Sequence, residues 1–243
     1  MRARAVAAQT RLELLLTVRR GESLVVTMLI PLGILVFFSK VDGINTSLPH
    51  PVDFLVPGVL ALAVMSTAMV SLGIATGFER RYGVLKRLGS TPLSRAGLLG
   101  AKTANVLALE LVQTALIVVA GLALGWHTSA RLIPAIGVLL VGTIAFAGIG
   151  MVLAGTLRAE ANLAAANGLF LVLLFLGGMA YPLDKLPDVL ETFAKALPAA
   201  ALSETVRAVL SPGGSFPTGE LAVLVAWAIA APLAAARWFR WEE

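Results

Sequence analysis

Cysteine is absent from these 243 residues, and charge is scarce. The lack of cysteine excludes disulfide bonds, cysteine-ligated zinc, iron–sulfur clusters and a cysteine nucleophile. Charged residues make up only 14% of the chain and hydrophobic residues 58%, whereas an ordinary globular domain has about 25% and about 45–50%. So few polar residues cannot cover the surface of a soluble fold of this length. Disordered chains are excluded as well, because they have a low content of hydrophobic residues, and the composition is not that of a fibrous protein. The composition therefore predicts a polytopic membrane protein.

Long gaps between charged residues mark the candidate membrane spans. A helix needs about 20 mostly apolar residues to cross the hydrocarbon core, and only Glu110 interrupts one of the gaps. Pro31 in the first gap and Pro232 in the last favour kinks there. The sequence therefore predicts an all-α polytopic membrane protein, a single domain of residues 1–243. Its six transmembrane helices are expected at approximately 23–39, 54–78, 103–126, 132–157, 161–181 and 219–238.

Basic residues are distributed unequally between the two ends of these spans. Fourteen Lys and Arg residues fall on the side of the two termini, and five fall on the other side. Because cytoplasmic loops are enriched in Lys and Arg, this asymmetry predicts that both termini are cytoplasmic. The net charge of +5 then reflects orientation, and no nucleic-acid partner is expected. Abundant alanine and an excess of arginine over lysine hint at a GC-rich bacterial genome, so we expect a multi-pass protein of the bacterial inner membrane.

Two segments outside the spans have apolar residues at helical spacing. In residues 1–22 this favours an interfacial helix along the inner leaflet, with a simple extension of the first span as the alternative. Residues 182–217 contain two short amphipathic stretches separated by Pro198, and neither is long enough to span. We expect an external helical hairpin that enters the outer leaflet and returns, with an amphipathic loop on the surface as the alternative.

The connection after the second span, residues 79–100, reads ERRYGVLKRLGSTPLSRAGLLG. Its apolar residues recur every three positions up to Gly89, which predicts one short helix. The Thr-Pro pair at 91–92 is a good N-cap and first-turn proline for the next helix. A compact basic protrusion of this kind suits docking to another protein. The alternative is a basic loop that enforces topology and contacts lipid headgroups.

This order of segments, and above all the block from Glu79 to Arg95, resembles the ABC-2 type permeases. The likeness is greatest to the bacterial drug-export branch that includes daunorubicin-resistance permeases, and it extends over essentially the whole chain. The resemblance implies half of a translocation pathway that pairs with a second permease, identical or homologous. It also implies two copies of a separate ABC ATPase subunit, which binds ATP and Mg. The short helix would be a coupling helix in a groove of that ATPase.

The resemblance also assigns roles to individual residues of the connection. The expected ATPase-coupling residues are Glu79, Arg80, Tyr82, Gly83, Leu85, Lys86, Arg87 and Leu88. None of the five lysines follows a glycine, so the Gly-Lys pair of a Walker A loop does not occur in the chain. We therefore expect a transport subunit that is not an enzyme and that binds no cofactor itself.

Few polar residues lie inside the predicted spans. Those that could line a substrate pathway are Glu110, Gln113, Asn105 and Asn167. An intramembrane ionisable group is by default a functional candidate, and Glu110 could attract a cationic drug or carry a proton. The alternative is that these side chains form hydrogen bonds between helices, worth about 0.6–2 kcal/mol each. The glycines of the fourth span permit close helix contact, and Met65, Met69 and Phe78 are predicted to pack in the core.

Other functions and cargoes remain as alternatives. An intramembrane enzyme would need paired acids, a serine nucleophile or a metal cluster in the spans. His50 and His127 are 77 residues apart and have no acids at ligand spacing, so no metal site is expected. A structural membrane subunit without transport activity is a further alternative. With two tyrosines and four tryptophans the chain has few residues for an aromatic tunnel, so drugs or other amphipathic small molecules are the expected cargo, and lipid or cell-envelope glycan is the alternative.

Overall fold

Helices account for all the regular secondary structure in the residues that the structure describes. The computed structural model describes residues 2–19, 21–40, 50–89, 95–128, 131–179, 182–214 and 216–240. The α-helices are α1 (Arg2–Arg19), α2 (Gly21–Lys40), α3 (Pro51–Val64), α4 (Leu72–Arg81), α5 (Val84–Gly89), α6 (Arg95–Ala123), α7 (Leu132–Thr156), α8 (Ala159–Leu176), α9 (Asp188–Lys195), α10 (Pro198–Leu210) and α11 (Thr218–Trp238). A π-helical segment, Met65–Ser71, separates α3 from α4, and a 3₁₀ turn, Leu183–Lys185, precedes α9.

Five of the described helical stretches are long and apolar enough to cross a membrane. They are Pro51–Arg81, Gly100–Ala123, Ile133–Thr156, Ala159–Leu176 and Thr218–Trp238. The first predicted span falls on a shorter apolar stretch, Thr27–Lys40. The prediction of an all-α architecture is confirmed, with five spanning candidates by length and composition.

Two of these helices end before the predicted limits, and glycine explains both ends. α6 stops at Ala123 because the chain turns at Gly125, whose φ of 86° is left-handed. α8 stops at Leu176, and Gly178 has a φ of 66°. Apolar composition continues past both points, so hydropathy alone overestimates the helix lengths.

The helix formed by α3, the π segment and α4 runs through the middle of the bundle. In its most apolar 18-residue stretch 83% of the residues are buried, compared with 22% for α8 and 17% for α11. Met65 and Met69 of the π segment are fully buried, so their predicted packing role is confirmed. α8 and α11 therefore expose most of their apolar residues. We call the buried Pro51–Arg81 stretch the central helix.

Glycines of α7 allow its neighbours to approach closely. A Cβ on Gly150 would lie 2.6 Å from the carbonyl oxygen of Met69, and one on Gly148 would lie 2.6 Å from the backbone nitrogen of Pro232. α7 therefore packs backbone to backbone against the central helix and α11. The predicted close contacts are confirmed at these two glycines, whereas Gly137 has no atom within 4 Å.

The segment before the last helix consists of two short helices that meet at Pro198, the first residue of α10. α10 is buried against α3, α7 and α11, whereas α9 exposes Val189 and Phe193. Ser203 Oγ donates a hydrogen bond of 2.5 Å to the carbonyl oxygen of Gly177. α10 thus packs into the bundle, whereas α9 lies at the surface.

Candidate functional site

A short protrusion extends the central helix at one end. α4 ends at Arg81, the chain reverses at Gly83 with a φ of 69°, and α5 follows. The turn is closed by hydrogen bonds from the amide of Tyr82 to the carbonyl of Phe78, 2.9 Å, and from the amide of Gly83 to that of Arg80, 3.0 Å. Only glycine adopts this left-handed turn without cost. We call residues 79–89 the knob, and this end of the bundle the knob end.

The knob residues divide into a buried set and an exposed set. Leu85 is fully buried. Tyr82 is 67% exposed, and Val84, Lys86 and Arg87 are also exposed. The exposed face thus has an apolar centre flanked by positive charge, while Leu85 anchors α5 to the bundle. The side chain of Leu88 and the predicted helix start at 91–92 lie outside the described residues.

Arg80 was predicted to couple to a partner, but it lies inside the protein. It is buried, and its guanidinium donates a hydrogen bond of 2.5 Å to the carbonyl oxygen of Leu157, just after α7. This carbonyl is one of those that a helix end leaves without an intrahelical partner. Arg80 therefore links the base of the knob to the junction of α7 and α8 rather than facing outward.

A buried ion-pair cluster joins the knob base to α1 and α6. Lys102 Nζ lies 2.6 Å from Glu79 Oε2 and 3.2 Å from Glu13 Oε1, and the Lys102 side chain is only 3% exposed. Gln9 Nε2 donates a further hydrogen bond of 3.0 Å to Glu13 Oε1. We call Glu13, Glu79 and Lys102 the charge cluster. Sequence reasoning counted Lys102 only as an orientation charge; its position at the start of an apolar stretch was the available signal.

Two of the predicted pathway residues, Gln113 and Glu110, form interhelical hydrogen bonds. Gln113 Oε1 accepts from Thr67 Oγ1 of the π segment at 3.2 Å, and its Nε2 donates to the carbonyl oxygen of Thr27 in α2 at 2.9 Å. Glu110 Oε2 accepts from Thr143 Oγ1 of α7 at 2.5 Å. Both residues are buried, so they join α6 to its neighbours.

The asparagines of the spans occupy two different environments. Asn105 Nδ2 donates to Thr17 Oγ1 of α1 at 3.2 Å, and buried Asn162 donates to the carbonyl oxygen of Gly73 at 2.9 Å. These contacts join α6 to α1 and α8 to α4. Asn167 instead lies exposed on α8, where its Nδ2 bonds to a carbonyl oxygen of its own helix. Of the four predicted pathway residues, only Asn167 lies on an outward face.

A polar cavity of about 130 Å³ lies between α1, α2, the central helix and α6. The charge cluster lines its knob end. The other polar lining residues are Thr17, Thr27, Thr67, Ser71 and Asn105. α1 therefore packs on α6 across a polar seam.

At the end opposite the knob, two histidines that are distant in sequence lie together. The rings of His50 and His127 stack with centroids 5.0 Å apart, and the amide of His127 donates to Asp53 Oδ1 at 2.8 Å. Asp53 of α3 lies beside His127 because α3 and the turn after α6 meet here. Within the described residues no group of three His, Cys, Asp or Glu is arranged to hold a metal ion.

A second cavity, of about 340 Å³, lies beneath the α9–α10 pair at the same end. Arg207 on its wall pairs with Glu204, donates to the carbonyl oxygen of Gly178 at 2.8 Å and lies 4.0 Å over the ring of Phe54. Burial lowers the pKa of Arg207, and the charge of Glu204 partly offsets this. These contacts hold α10 against α3 and the turn after α8.

Comparison with known proteins gives one family match. The profile of the ABC-2 type transporter family matches residues 4–211, from α1 to the residue after α10. No curated protein matches the chain.

Proposed function

This chain belongs to the ABC-2 type transporter family, and on that premise we propose that it forms half of the translocation pathway of an ATP-driven exporter. Members of the family generally pair with ABC ATPase subunits. The 243 residues hold a membrane permease domain and no ATPase domain. ATP and Mg are bound by the partner, and this chain contributes no nucleotide-binding residue. Two ATPase copies and a second permease, identical or homologous, complete the transporter.

The knob is the surface that docks to the ATPase. Tyr82 and Val84 offer an apolar centre, and exposed Lys86 and Arg87 surround it with positive charge. Aromatic residues in such a position supply most of the energy of an interface, and complementary charge sets orientation and specificity. The partner surface is therefore a groove with an apolar floor and an acidic rim. This exposed face on a short helix that is tied to the central helix is the observation that carries the proposal.

Polar contacts at the base of the knob would transmit its movement to the membrane helices. Arg80 ties the knob base to the α7–α8 junction, and the charge cluster ties it to α1 and α6. Closure of the ATPase pair on ATP would thus move these helices with the central helix and convert an inward-open cavity to an outward-open one. The ATP-bound partner must bind the outward-open form more tightly, because equal affinity for both forms shifts no population.

The outward face of α8 is the part of the pathway that this chain supplies. An exposed amide is unfavourable in contact with hydrocarbon, yet Asn167 lies on that face near exposed Ala164 and Gly168. A water-filled pathway or the second permease would satisfy it, and small residues allow close approach. The other three predicted pathway residues act between helices. Between residues 163 and 175 of α8 the one exposed polar side chain is Asn167, and such a surface favours amphipathic small molecules, as expected for the drug-export branch.

The topology has six spans, with α2 as the first. The 20 residues of α2 are long enough to cross the hydrocarbon. The excess of Lys and Arg at the knob end supports an orientation with both termini in the cytoplasm of a bacterium. The α9–α10 pair then lies on the external side, and buried α10 forms the part that enters the outer leaflet.

Charge reversal at Lys86 and Arg87 tests the docking assignment. In the Lys86→Glu/Arg87→Glu variant, repulsion from an acidic rim should lower co-purification of the ATPase about tenfold or more. The Lys40→Glu/Lys185→Glu variant has the same change of charge at exposed sites of the opposite end and should keep the wild-type yield. Tyr82→Ala should weaken binding about tenfold without changing the fold. If ATPase binding and substrate-stimulated ATP hydrolysis survive both changes to the knob, the assignment is wrong.

A further inference from the structure

A surface groove lies where α7 and α11 end, at the knob end of the bundle. Its volume is about 360 Å³, and its lining is Thr156, Arg237, Trp238, Phe239 and Arg240. The chain closes over the end of α7 because the amide of Arg240 donates a hydrogen bond of 3.1 Å to the carbonyl oxygen of Gly155. Phe239 packs on the core at this point. The groove is thus shaped by contacts of the described residues up to Arg240.

The charge of the groove is positive. The guanidinium groups of Arg237 and Arg240 are exposed at its wall, and exposed Arg158 lies two residues beyond Thr156. No acidic residue of the described part of the chain lines the groove. Glu242 and Glu243, which follow in the sequence, lie outside the described residues. Guanidinium groups present paired donors that match the oxygens of a phosphate.

An apolar stripe leads from this charge along α11. Ile229, Leu233 and Arg237 are spaced by four residues and share one helix face. Leu233 is 64% exposed and Ile229 58%. From Ile229 to Arg237 the helix rises about 12 Å, most of the thickness of one leaflet of a hydrocarbon core about 30 Å thick. Trp238, exposed beside the groove, has the amphipathic ring that favours the headgroup level.

We propose that this groove binds the headgroup of an anionic phospholipid, with the phosphate between Arg237 and Arg240 and an acyl chain on the stripe of Leu233 and Ile229. A free phosphate would use only the charge and would leave the stripe without a role. Basic pockets beside the ends of membrane helices suit anionic headgroups, because each basic residue near the surface adds attraction to the lipid. The groove lies next to the contact of Arg80 with Leu157 but shares no lining residue with the knob or with α8, and its lipid is bound rather than transported.

The test measures lipids retained by the full-length chain in a mild detergent, with native mass spectrometry. Equal amounts of phosphatidylglycerol and phosphatidylcholine are supplied. The wild type should prefer phosphatidylglycerol, and this preference should fall about fivefold in Arg237→Gln or Arg240→Gln and about thirtyfold in the double variant. The control is Lys40→Gln/Lys185→Gln, with the same loss of charge at the opposite end; it should keep the preference. Thermal unfolding of every variant in phosphatidylcholine verifies the fold, and the single variants decide the question if the double variant unfolds.

Three results would overturn the proposal. One is an equal affinity of the wild type for both lipids, and another is an equal loss in the control pair, which would indicate diffuse attraction. The third is complete displacement of the lipid by millimolar inorganic phosphate, which lacks acyl chains and would identify a free-phosphate site. Glycerol phosphate, with the same headgroup chemistry and no chains, should likewise compete poorly.

Discussion

Removing the charge of Lys102 should destabilise the permease more than removing any exposed lysine. Lys102→Met leaves Glu13 and Glu79 close together in a buried site without their cation. At an effective dielectric constant of about 20, unit charges at the observed 2.6 and 3.2 Å attract by about 6 and about 5 kcal/mol. Desolvation of the three ions offsets most of this, so the intact cluster itself contributes little net stability. Removal of Lys102 leaves the desolvation cost of the two carboxylates without its compensation, which should lower the free energy of unfolding by about 3–5 kcal/mol.

The loss can be measured as a change in the thermal unfolding midpoint, followed by tryptophan fluorescence in lipid nanodiscs. At about 2–4 °C per kcal/mol for a chain of this size, Lys102→Met should lower the midpoint by about 6–20 °C. The triple variant Lys102→Met/Glu13→Gln/Glu79→Gln has no net buried charge, so most of the midpoint should return. Lys40→Met, at an exposed position, is the control and should change the midpoint by less than about 2 °C. The reasoning fails if Lys102→Met unfolds at the wild-type midpoint, or if the triple variant is no more stable than the single one.

Two further predictions concern packing and transport. Gly150→Ala adds a methyl group against the central helix and should cost about 1–3 kcal/mol of unfolding free energy, whereas Gly137→Ala, with open space, should be neutral or stabilising by up to about 1 kcal/mol; equal midpoints would refute the packing argument. Asn167→Leu should reduce export in a reconstituted transport assay without lowering the midpoint, because the proposed pathway includes its side chain. Glu110→Gln should keep most of the export activity. If Glu110→Gln lowered export more than Asn167→Leu did, Glu110 rather than Asn167 would be assigned to the pathway.

Hydropathy and charge spacing predicted the helices because both are local properties of the chain. The break at Pro198 and the short helix ending at Gly89 follow from backbone restrictions of single residues, and these too are visible in a sequence. The match to the ABC-2 type transporter family then gives the class of function. The helices and the class of function could therefore be predicted without knowing which helix packs on which.

The contacts of the charged and polar residues depended on helix packing and could not be predicted in the same way. Lys102 meets Glu13 across 89 residues of sequence, and His50 meets His127 only because α3 begins at the side of the bundle where α6 ends. Arg80 and Tyr82 are two positions apart in one basic run, yet one is buried and the other exposed. The sequence of so short a connection does not reveal which of its residues will pack inward.

The π segment Met65–Ser71 has a geometric consequence for the knob. A π turn holds more residues than an α turn of 3.6, so it shifts the angular position of all that follows it. Each residue of an α-helix corresponds to a rotation of about 100° about the helix axis. Deletion of one residue of the π segment would therefore point the knob toward a different side of the molecule, although the sequence of the knob is unchanged. The direction in which the proposed docking face points is therefore set by the π segment, and a change of one residue in its length rotates the knob about the helix axis.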